Sequence, residues 1–284
     1  VDEDPARRTL LISAIEHHAV LDAAEWLVAR EGANLVTIPV GADGVIDVDW
    51  LGAYLHEHGT EVAVCAVMWA NNETGVIQPV GMVAAACETF DVPFHCDGVQ
   101  AVAWLADRTE WKCRRSSLAI SAHKFGGPVG VGALVLNGVT PEPLLHGGGQ
   151  EIDVRSGTVA TALIASAAAA LLEASSDRSV QASRNEELWQ SMRTGIKAIA
   201  ADSVFVADGA PRVPSIGSVS FPGCEADGLL MLLDAEGIAC SAGSACTAGV
   251  PRPSHVLLAM GIPPDLARST LRFSFGWNST AGDV

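Results

Sequence analysis

The sequence lacks long apolar runs and paired cysteines. Hydrophobic residues make up 49% of the 284 residues, but charges interrupt them before any run reaches the roughly eighteen residues of a membrane span. Residues 1–5 have neither the basic start nor the apolar core of a signal peptide. The seven cysteines lack the CxxC spacing of a disulfide scaffold or a zinc site. We therefore expect a soluble, cytoplasmic protein without a structural metal.

Basic residues are also scarce. The chain has 17 Lys and Arg against 33 Asp and Glu, which gives a formal net charge of −16. Nucleic-acid binding requires clustered basic side chains for phosphate contacts, so this charge disfavours it. The basic cluster at 112–115 is short, and we interpret it as solvated surface. The length suits two unequal domains, each with its own core.

Strand and helix patterns alternate along the first half of the chain. Strands are predicted at 10–14, 35–40, 62–69, 92–96, 118–121 and 131–136. Helices are predicted at 19–30, 47–55 and 80–90, with Asp47 as an N-cap and Gly32 past a helix end. This alternation predicts an α/β fold with a mostly parallel, doubly wound sheet. Ligands of such sheets bind at the carboxyl ends of the strands.

The amino-acid composition changes at 147–158, where a glycine-rich polar segment precedes two long predicted helices. We place a domain boundary here, which predicts a larger domain over 1–157 and a smaller α+β domain over 158–284. Its helices are predicted at 159–174, 179–201, 225–236 and 254–260, and its strands at 216–221, 238–241 and 270–274. The small residues of 242–251 cannot pack densely, which predicts a mobile segment.

One lysine, Lys124, follows a predicted strand end and precedes a turn at Gly126–Pro128. Its small and apolar neighbours predict a loss of solvation, which favours the neutral amine that Schiff-base chemistry needs. A solvated loop lysine is the alternative for this stretch alone. Asp97 ends an upstream strand, and pyridoxal phosphate requires such a pair, because a carboxylate keeps its ring nitrogen protonated and a lysine carries its aldehyde.

Several motifs extend this pattern over almost the whole chain. They are IEHHAV at 15–20, NNETG at 71–75, HCDGVQ at 95–100, SAHKFGGP at 121–128, the segment 147–158, GSAC at 243–246 and LRFS at 271–274. In this order they resemble the cysteine desulfurases, a branch of the class V aminotransferase-like enzymes of PLP fold-type I. The resemblance implies a large domain with a sheet of the seven-stranded type, truncated here. It also implies conversion of L-cysteine to L-alanine by a homodimer that passes sulfur to acceptors, such as an iron-sulfur scaffold protein.

The resemblance implies a role for each matching residue around the cofactor ring. Lys124 would hold pyridoxal 5'-phosphate as an imine and move the substrate proton. Asp97 would pair with the ring nitrogen, and His17 would stack on the ring face. Gln100 and Asn72 would hydrogen-bond the ring oxygen.

Other matching residues would contact the cofactor phosphate and the substrate. Ser121 and His123 would contact the phosphate, and Thr158 would reach the phosphate of the partner subunit's cofactor. Arg272 would bind the substrate carboxylate, together with Asn72, because a planar two-pronged donor suits that group.

Cys246 differs from the other cysteines because glycine, serine and alanine surround it. By composition alone it could be an inert thiol, but in the resemblance it is the nucleophile that takes the substrate sulfur as a persulfide. Cys96 should point away from the cofactor because it alternates with Asp97 along a strand. Buried, unreactive positions are expected for Cys65, Cys87, Cys224 and Cys240.

The chain differs from the enzymes it resembles at both ends. They carry a segment before residue 10 whose helix N-terminus holds the cofactor phosphate, and they continue past residue 276 into a closing helix. We therefore interpret the sequence as an internal portion of such an enzyme. Three alternatives stay open from sequence: a selenocysteine lyase, a truncated non-catalytic family member, and a cysteine hydrolase that pairs Cys246 with a histidine.

Overall fold

The computed structural model describes residues 6–243 and 253–284. Within these ranges, the first of two sheets has six strands in the spatial order β2-β1-β3-β4-β5-β6. The strands are β1 (Thr9–Ser13), β2 (Asn34–Ile38), β3 (Val62–Ala66), β4 (Phe94–Asp97), β5 (Ser116–Ser121) and β6 (Gly132–Asn137). The helices between them are α1 (His18–Glu31), α2 (Val48–His58) and α3 (Val80–Thr89).

Strands β1 to β5 run parallel, and β6 pairs antiparallel with β5. Alternate residues of β1 pack into opposite layers. Leu10 and Ile12 share a core with Ala24 of α1, whereas Leu11 shares one with Leu51 of α2. Burial on both faces explains why these strands are almost continuously apolar. The predicted α/β fold with a mostly parallel sheet is confirmed.

Helix boundaries follow the predicted local signals. Asp47 accepts a hydrogen bond on Oδ1 from the Trp50 amide at 2.8 Å, which caps α2. Gly32 ends α1 with a φ of 66°, a conformation that glycine adopts without a steric cost. These short-range signals were sufficient to predict the end of α1 and the start of α2.

The second sheet has four antiparallel strands in the described residues, in the order β7-β8-β10-β9. They are β7 (Val204–Phe205), β8 (Ile216–Ser220), β9 (Ser241–Ala242) and β10 (Thr270–Ser274). The helices of this half are α4 (Thr161–Ser176), α5 (Arg178–Ile199), α6 (Ala226–Ala235), α7 (His255–Ala259) and α8 (Pro264–Arg268). Trp189 of α5 packs on Phe205 and Val219, which joins helix and sheet in one core.

Several predicted elements differ from the structure. Of the strand predicted at 238–241, only Ser241 lies in a strand, because β9 (Ser241–Ala242) pairs with β10 at only two positions. The run 62–69 is a strand only to Ala66. Strand β7 and helix α8 were not predicted. The boundary at 157 stays a prediction, and α4 packs Ala167 and Leu171 against the core of the first sheet.

A segment after β3 connects the two sheets. The Val213 amide donates to the Gly75 oxygen at 2.9 Å, and the Ile77 amide donates to the Pro211 oxygen at 2.8 Å. The Ser218 hydroxyl donates to the backbone oxygen of Glu73 at 2.7 Å. The motif at 71–75 therefore lies at the junction between the sheets.

Candidate active site

The carboxyl ends of four neighbouring parallel strands meet at one edge of the first sheet. His17 follows β1, Asn72 follows β3, Asp97 is the last residue of β4, and Lys124 follows β5. Parallel strands expose their carboxyl ends on the same side, so the fold brings these sequence-predicted residues to a common edge.

Asp97 is a buried carboxylate at the end of β4, with 9% of the residue exposed. Its Oδ1 accepts from the Val99 amide at 2.9 Å, and its backbone oxygen accepts from the Trp69 amide at 2.8 Å. Glycine suits the next position, since a Cβ on Gly98 would lie 2.5 Å from Leu118 Cδ1 and would displace that side chain. The turn therefore fixes Asp97 against the sheet edge.

Lys124 lies in a short 3-10 turn, Ala122–Lys124, that follows β5. The amides of Phe125 and Gly127 both donate to the Ala122 oxygen, at 3.1 and 2.9 Å, and a Cβ on Gly127 would lie 2.9 Å from that of Ala122. This turn is tight, yet Lys124 itself is exposed. The predicted desolvation of Lys124 is wrong, because its small neighbours pack beneath the turn and leave the side chain in solvent.

Ser121 and His123 flank the base of this turn. The Ser121 Oγ and the His123 Nδ1 are 2.9 Å apart, which is hydrogen-bonding distance. Ser121 is half-buried and His123 is exposed. A hydroxyl and an imidazole held together beside Lys124 form a donor set that suits a phosphate group.

His17 caps helix α1. Its Nδ1 accepts from the Ala19 amide at 3.1 Å, which fixes the plane of the half-buried ring at the end of β1. The neighbouring ring of His18 lies 6.5 Å away in an edge-on arrangement. The helix cap therefore orients the His17 ring at the end of β1.

Arg272 reaches the first sheet from β10 of the second. Its Nη1 donates to the backbone oxygen of Asn72 at 3.0 Å. Its Nε is buried and has no hydrogen-bond partner among the described residues. A guanidinium with a buried unpaired N–H is a donor to which a carboxylate could bind.

Glu16 is a buried acid that the sequence motif contained but to which no role was assigned. Its Oε1 accepts from the Ser13 hydroxyl at 2.5 Å and from the Met68 amide at 2.7 Å. Within the described ranges, its buried Oε2 has no hydrogen-bond partner. Burial raises the pKa of Glu16 to about 8, and the charge of Asp97 acts in the same direction. Glu16 therefore carries a proton at neutral pH.

Glu73 is a second buried acid without a predicted role. Its Oε2 accepts from the Ser254 hydroxyl at 2.5 Å. Burial raises the pKa of Glu73 to about 7, although the Ser254 hydrogen bond and the charges of Arg272 and His18 oppose the rise. For both acids, the available sequence signal was a carboxyl side chain shortly after a buried strand.

The remaining predicted site residues are less constrained. Gln100 is half-buried in the turn after Asp97, and Thr158 is exposed next to Gly157, whose φ is 119°. Cys246 lies outside the described residues, as does most of the segment 242–251 that was predicted to be mobile.

The structure sorts the other cysteines by burial. Cys65, Cys87 and Cys96 are fully buried, as expected. Burial raises the pKa of the Cys96 thiol, which keeps it protonated and unreactive. The expectation of buried positions is wrong for Cys224, which is exposed in the turn before α6, and for Cys240, which is half-buried just before the two-residue strand β9.

Among residues 6–243 and 253–284, no helix combines the length and apolar character needed to cross a membrane.

Comparison with known proteins gives consistent matches over the whole chain. The family described as aminotransferase class-V matches residues 4–284. An IscS-like cysteine desulfurase of Mycobacterium tuberculosis is 44% identical over 285 residues, which cover 100% of this chain and 72% of that protein. A cysteine desulfurase of Cereibacter sphaeroides is 37% identical, over 99% of this chain and 71% of that protein.

A solved structure is also similar. The NifS-like protein from Rickettsia africae ESF-5 aligns with a TM-score of 0.86 and 26% identity, over 99% of this chain and 74% of that one.

Proposed function

The chain belongs to the class-V aminotransferase family, among the cysteine desulfurases, and we propose that it converts L-cysteine to L-alanine with transfer of the sulfur to Cys246. Enzymes of this family use pyridoxal 5'-phosphate, and we propose the same cofactor here. The observation that carries the proposal is the common sheet edge shared by His17, Asn72, Asp97 and Lys124.

The chemistry of the donor set at this edge fits pyridoxal phosphate. When bound, the cofactor supplies an aldehyde that condenses with amines and a ring that accepts electrons. Asp97 supplies a buried carboxylate for the ring nitrogen, and Ser121 with His123 supplies donors for the phosphate. Gln100 and Asn72 would hydrogen-bond the ring oxygen.

Lys124 is the amine that suits this site. The sequence has three lysines, and the other two lie elsewhere. Lys197 on α5 donates to the backbone oxygen of Ala201 at 3.2 Å, and Lys112 precedes the amino end of β5. Lys124 would attach the cofactor through its Nζ, and the same amine would move the substrate proton. The His17 ring would stack on one face of the cofactor ring.

Arg272 would bind the carboxylate of cysteine through the buried Nε and its neighbouring N–H groups. Its hydrogen bond to the Asn72 oxygen orients the guanidinium toward the first sheet. A carboxylate bound there would satisfy a buried donor that is otherwise unpaired, which favours an amino-acid substrate over a simple amine.

Cys246 would receive the sulfur. Its thiolate attacks the sulfur of bound cysteine, the bond between sulfur and carbon breaks, and its electron pair stays with the carbon. That carbon takes a proton and becomes the methyl group of alanine, and Cys246 is left as a persulfide. A second thiolate, on an acceptor such as an iron-sulfur scaffold protein, would then take the terminal sulfur.

Two features support a homodimer. Thr158 is exposed on a glycine-rich segment and would contact the partner subunit's cofactor. Large apolar side chains in or just before this segment are also exposed: Leu144 (90%), Leu145 (52%) and Ile152 (93%). A second copy of the chain would cover such a surface. The six described cysteines are all free thiols, which supports a cytoplasmic location.

The proposal is tested by the absorption spectrum of the purified enzyme with pyridoxal phosphate. We expect a visible band that borohydride bleaches, with the reduced adduct on the peptide that contains Lys124. Lys112→Ala, on an exposed lysine, should leave the band unchanged, and Lys124→Ala should remove it. An adduct on Lys112 or Lys197 would contradict the assignment.

A further inference from the structure

Ser218 of β8 is a buried serine to which the proposed reaction gives no role. The residue is 2% exposed, and its hydroxyl donates to the backbone oxygen of Glu73 at 2.7 Å, over a sequence separation of 145 residues. Glu73 belongs to the segment that follows β3 of the first sheet. The Ser218 hydroxyl therefore joins the second sheet to the first.

Ser218 lies directly opposite Arg272 in the antiparallel pair of β8 and β10. Side chains of directly opposite residues project from the same face of a sheet, with Cβ atoms about 4.5 to 5.5 Å apart. Arg272 donates from Nη1 to the backbone oxygen of Asn72 at 3.0 Å. Two neighbouring side chains of the second sheet thus bind two consecutive backbone oxygens, those of Asn72 and Glu73. We call these two hydrogen bonds the two-bond link.

The side chain of Asn71 fixes the turn that presents these two oxygens. Asn71 is fully buried, and its Oδ1 accepts from the amides of Glu73 and Thr74, both at 2.9 Å. Its Nδ2 donates to the backbone oxygen of Ile15 at 3.0 Å, two residues before His17 at the end of β1. The oxygens of the two-bond link are therefore held in place relative to the edge that carries the candidate cofactor site.

The same segment lies close against β8. Gly75 has a φ of 78°, and a Cβ added there would lie 2.8 Å from the backbone oxygen of Ile216. The Val213 amide donates to the Gly75 oxygen at 2.9 Å. This close approach leaves little room for the segment to move against β8, so the position of Arg272 depends on how the segment and the second sheet are joined.

We propose that Ser218 is a positioning residue for substrate recognition, whose hydrogen bond to the Glu73 oxygen holds Arg272 in place relative to the cofactor edge of the first sheet. The inference rests on the proposed function, in which Arg272 binds the carboxylate of cysteine. A single hydrogen bond would let the two sheets pivot about it, and a second bond beside it removes that freedom. The two-bond link uses Nη1 of Arg272 and leaves its buried Nε for the carboxylate.

The first test replaces Ser218 and separates KM from kcat in the holoenzyme. Ser218→Ala removes one neutral hydrogen bond, so the KM for cysteine in alanine formation should rise roughly 3- to 10-fold. The kcat should change less than about twofold, because Lys124 and Asp97 are unaffected.

Ser220→Ala is the matched control. Ser220 lies two residues further along β8 on the same face and is fully buried, and its Oγ is 2.7 Å from Thr270 Oγ1 of β10. This variant also removes a buried hydroxyl, but from a contact inside the second sheet. Its KM should stay within about twofold of wild type.

Cysteamine, which is cysteine without the carboxylate, gives a readout that a general loss of stability would not move. Titration of the bound cofactor's spectrum measures the affinity for both amines. In Ser218→Ala, the preference for cysteine over cysteamine should shrink by the same 3- to 10-fold, with the affinity for cysteamine unchanged. Ser220→Ala should keep the wild-type preference.

Hydrogen exchange tests the two-bond link without the cofactor. In the protein without added cofactor, the peptide 71–78 should exchange faster in Ser218→Ala than in wild type or in Ser220→Ala. Equal exchange in both variants would show that Ser218 does not hold the segment.

Two further variants complete the design. If Ser218 acts through Arg272, combining Ser218→Ala with Arg272→Lys should raise KM by less than the product of the two single effects. Ser218→Cys serves if Ser218→Ala does not fold, because a thiol is a weaker donor of similar shape. Its KM should rise at least about twofold, and an unchanged KM would overturn the inference.

The outcomes separate this inference from the proposed function. If Arg272→Lys leaves the KM for cysteine unchanged, the proposed substrate contact fails and the inference fails with it. If Arg272→Lys raises KM but Ser218→Ala keeps both the wild-type KM and the preference over cysteamine, only the positioning role is overturned. Equal rises in KM for Ser218→Ala and Ser220→Ala would also overturn it, because the effect would then come from weakening the second sheet.

Discussion

Arg272 donates from Nη1 to the backbone oxygen of Asn72 at 3.0 Å, across a sequence separation of 200 residues. This hydrogen bond connects the last strand of the second sheet to the segment that follows β3 of the first. The two sheets therefore contribute different parts of the candidate site, with the proposed cofactor donors on the first and the guanidinium of Arg272 on the second.

Replacement of Arg272 by lysine should weaken cysteine binding. Lysine keeps the charge but cannot donate two parallel hydrogen bonds to a carboxylate. The loss of one charge-assisted hydrogen bond should raise KM roughly 10- to 100-fold, with a smaller change in kcat. Steady-state alanine formation measures both constants, and Arg268→Lys, on an exposed arginine of α8, is the control. An unchanged KM would remove Arg272 from substrate binding.

Asp97→Asn should retain the fold and part of the cofactor affinity but lose most turnover. The amide can still accept from the Val99 amide, but it carries no charge to hold the ring nitrogen of pyridoxal phosphate protonated. We expect kcat to fall at least about 100-fold, which corresponds to roughly 2.7 kcal/mol. Asp202→Asn, on an exposed turn residue, should behave as wild type. Turnover near the wild-type rate in Asp97→Asn would refute the assigned role.

Glu16→Gln should change how stability depends on pH. Burial raises the folded-state pKa of Glu16 from its ordinary value of 4.5 to about 8, so its stabilising contribution is complete below pH 4.5 and is lost as the pH rises toward 8. Glutamine has no such titration. As the pH rises through this window, the free energy of unfolding of the variant should therefore increase relative to that of wild type by about 1.4 kcal/mol per pH unit.

Urea denaturation at a series of pH values measures this difference. Glu25→Gln, on an exposed glutamate, should follow the wild-type curve at every pH. Parallel curves for Glu16→Gln and wild type would show that Glu16 is ionised in the folded protein, contrary to the effect of its burial.

Local signals predicted the parts of the fold that depend on neighbouring residues. The Asp47 cap, the left-handed Gly32 and the strand-end positions of Asp97 and Lys124 each depend on a few adjacent side chains. The exposure of Lys124 was not predicted, because small neighbours can pack beneath a turn as readily as around a side chain. The strand predicted at 238–241 does not match β9, since the length of β9 is set by its pairing with β10 rather than by its own sequence.

The sequence patterns could not predict contacts between residues that are far apart in the chain. The hydrogen bond between Ser254 and Glu73 spans 181 residues, and no local motif at either residue indicates the other. The same holds for the hydrogen bond from the Met68 amide to Glu16, which spans 52 residues. Acids that acquire their environment from distant segments can be recognised only in the folded chain.

The central claim is that the sulfur of cysteine passes to Cys246, and the products formed by Cys246→Ala test it most directly. Alanine and sulfide released from L-cysteine should be measured for this variant, for wild type and for the exposed-cysteine control Cys224→Ala, with mass spectrometry of the peptide that contains residue 246. We predict a persulfide on wild type and on Cys224→Ala, and a loss of alanine and sulfide release in Cys246→Ala, although cysteine still changes the spectrum of its bound cofactor. Release of alanine by Cys246→Ala at the wild-type rate would contradict the account, because the enzyme would then cleave cysteine without a protein thiol.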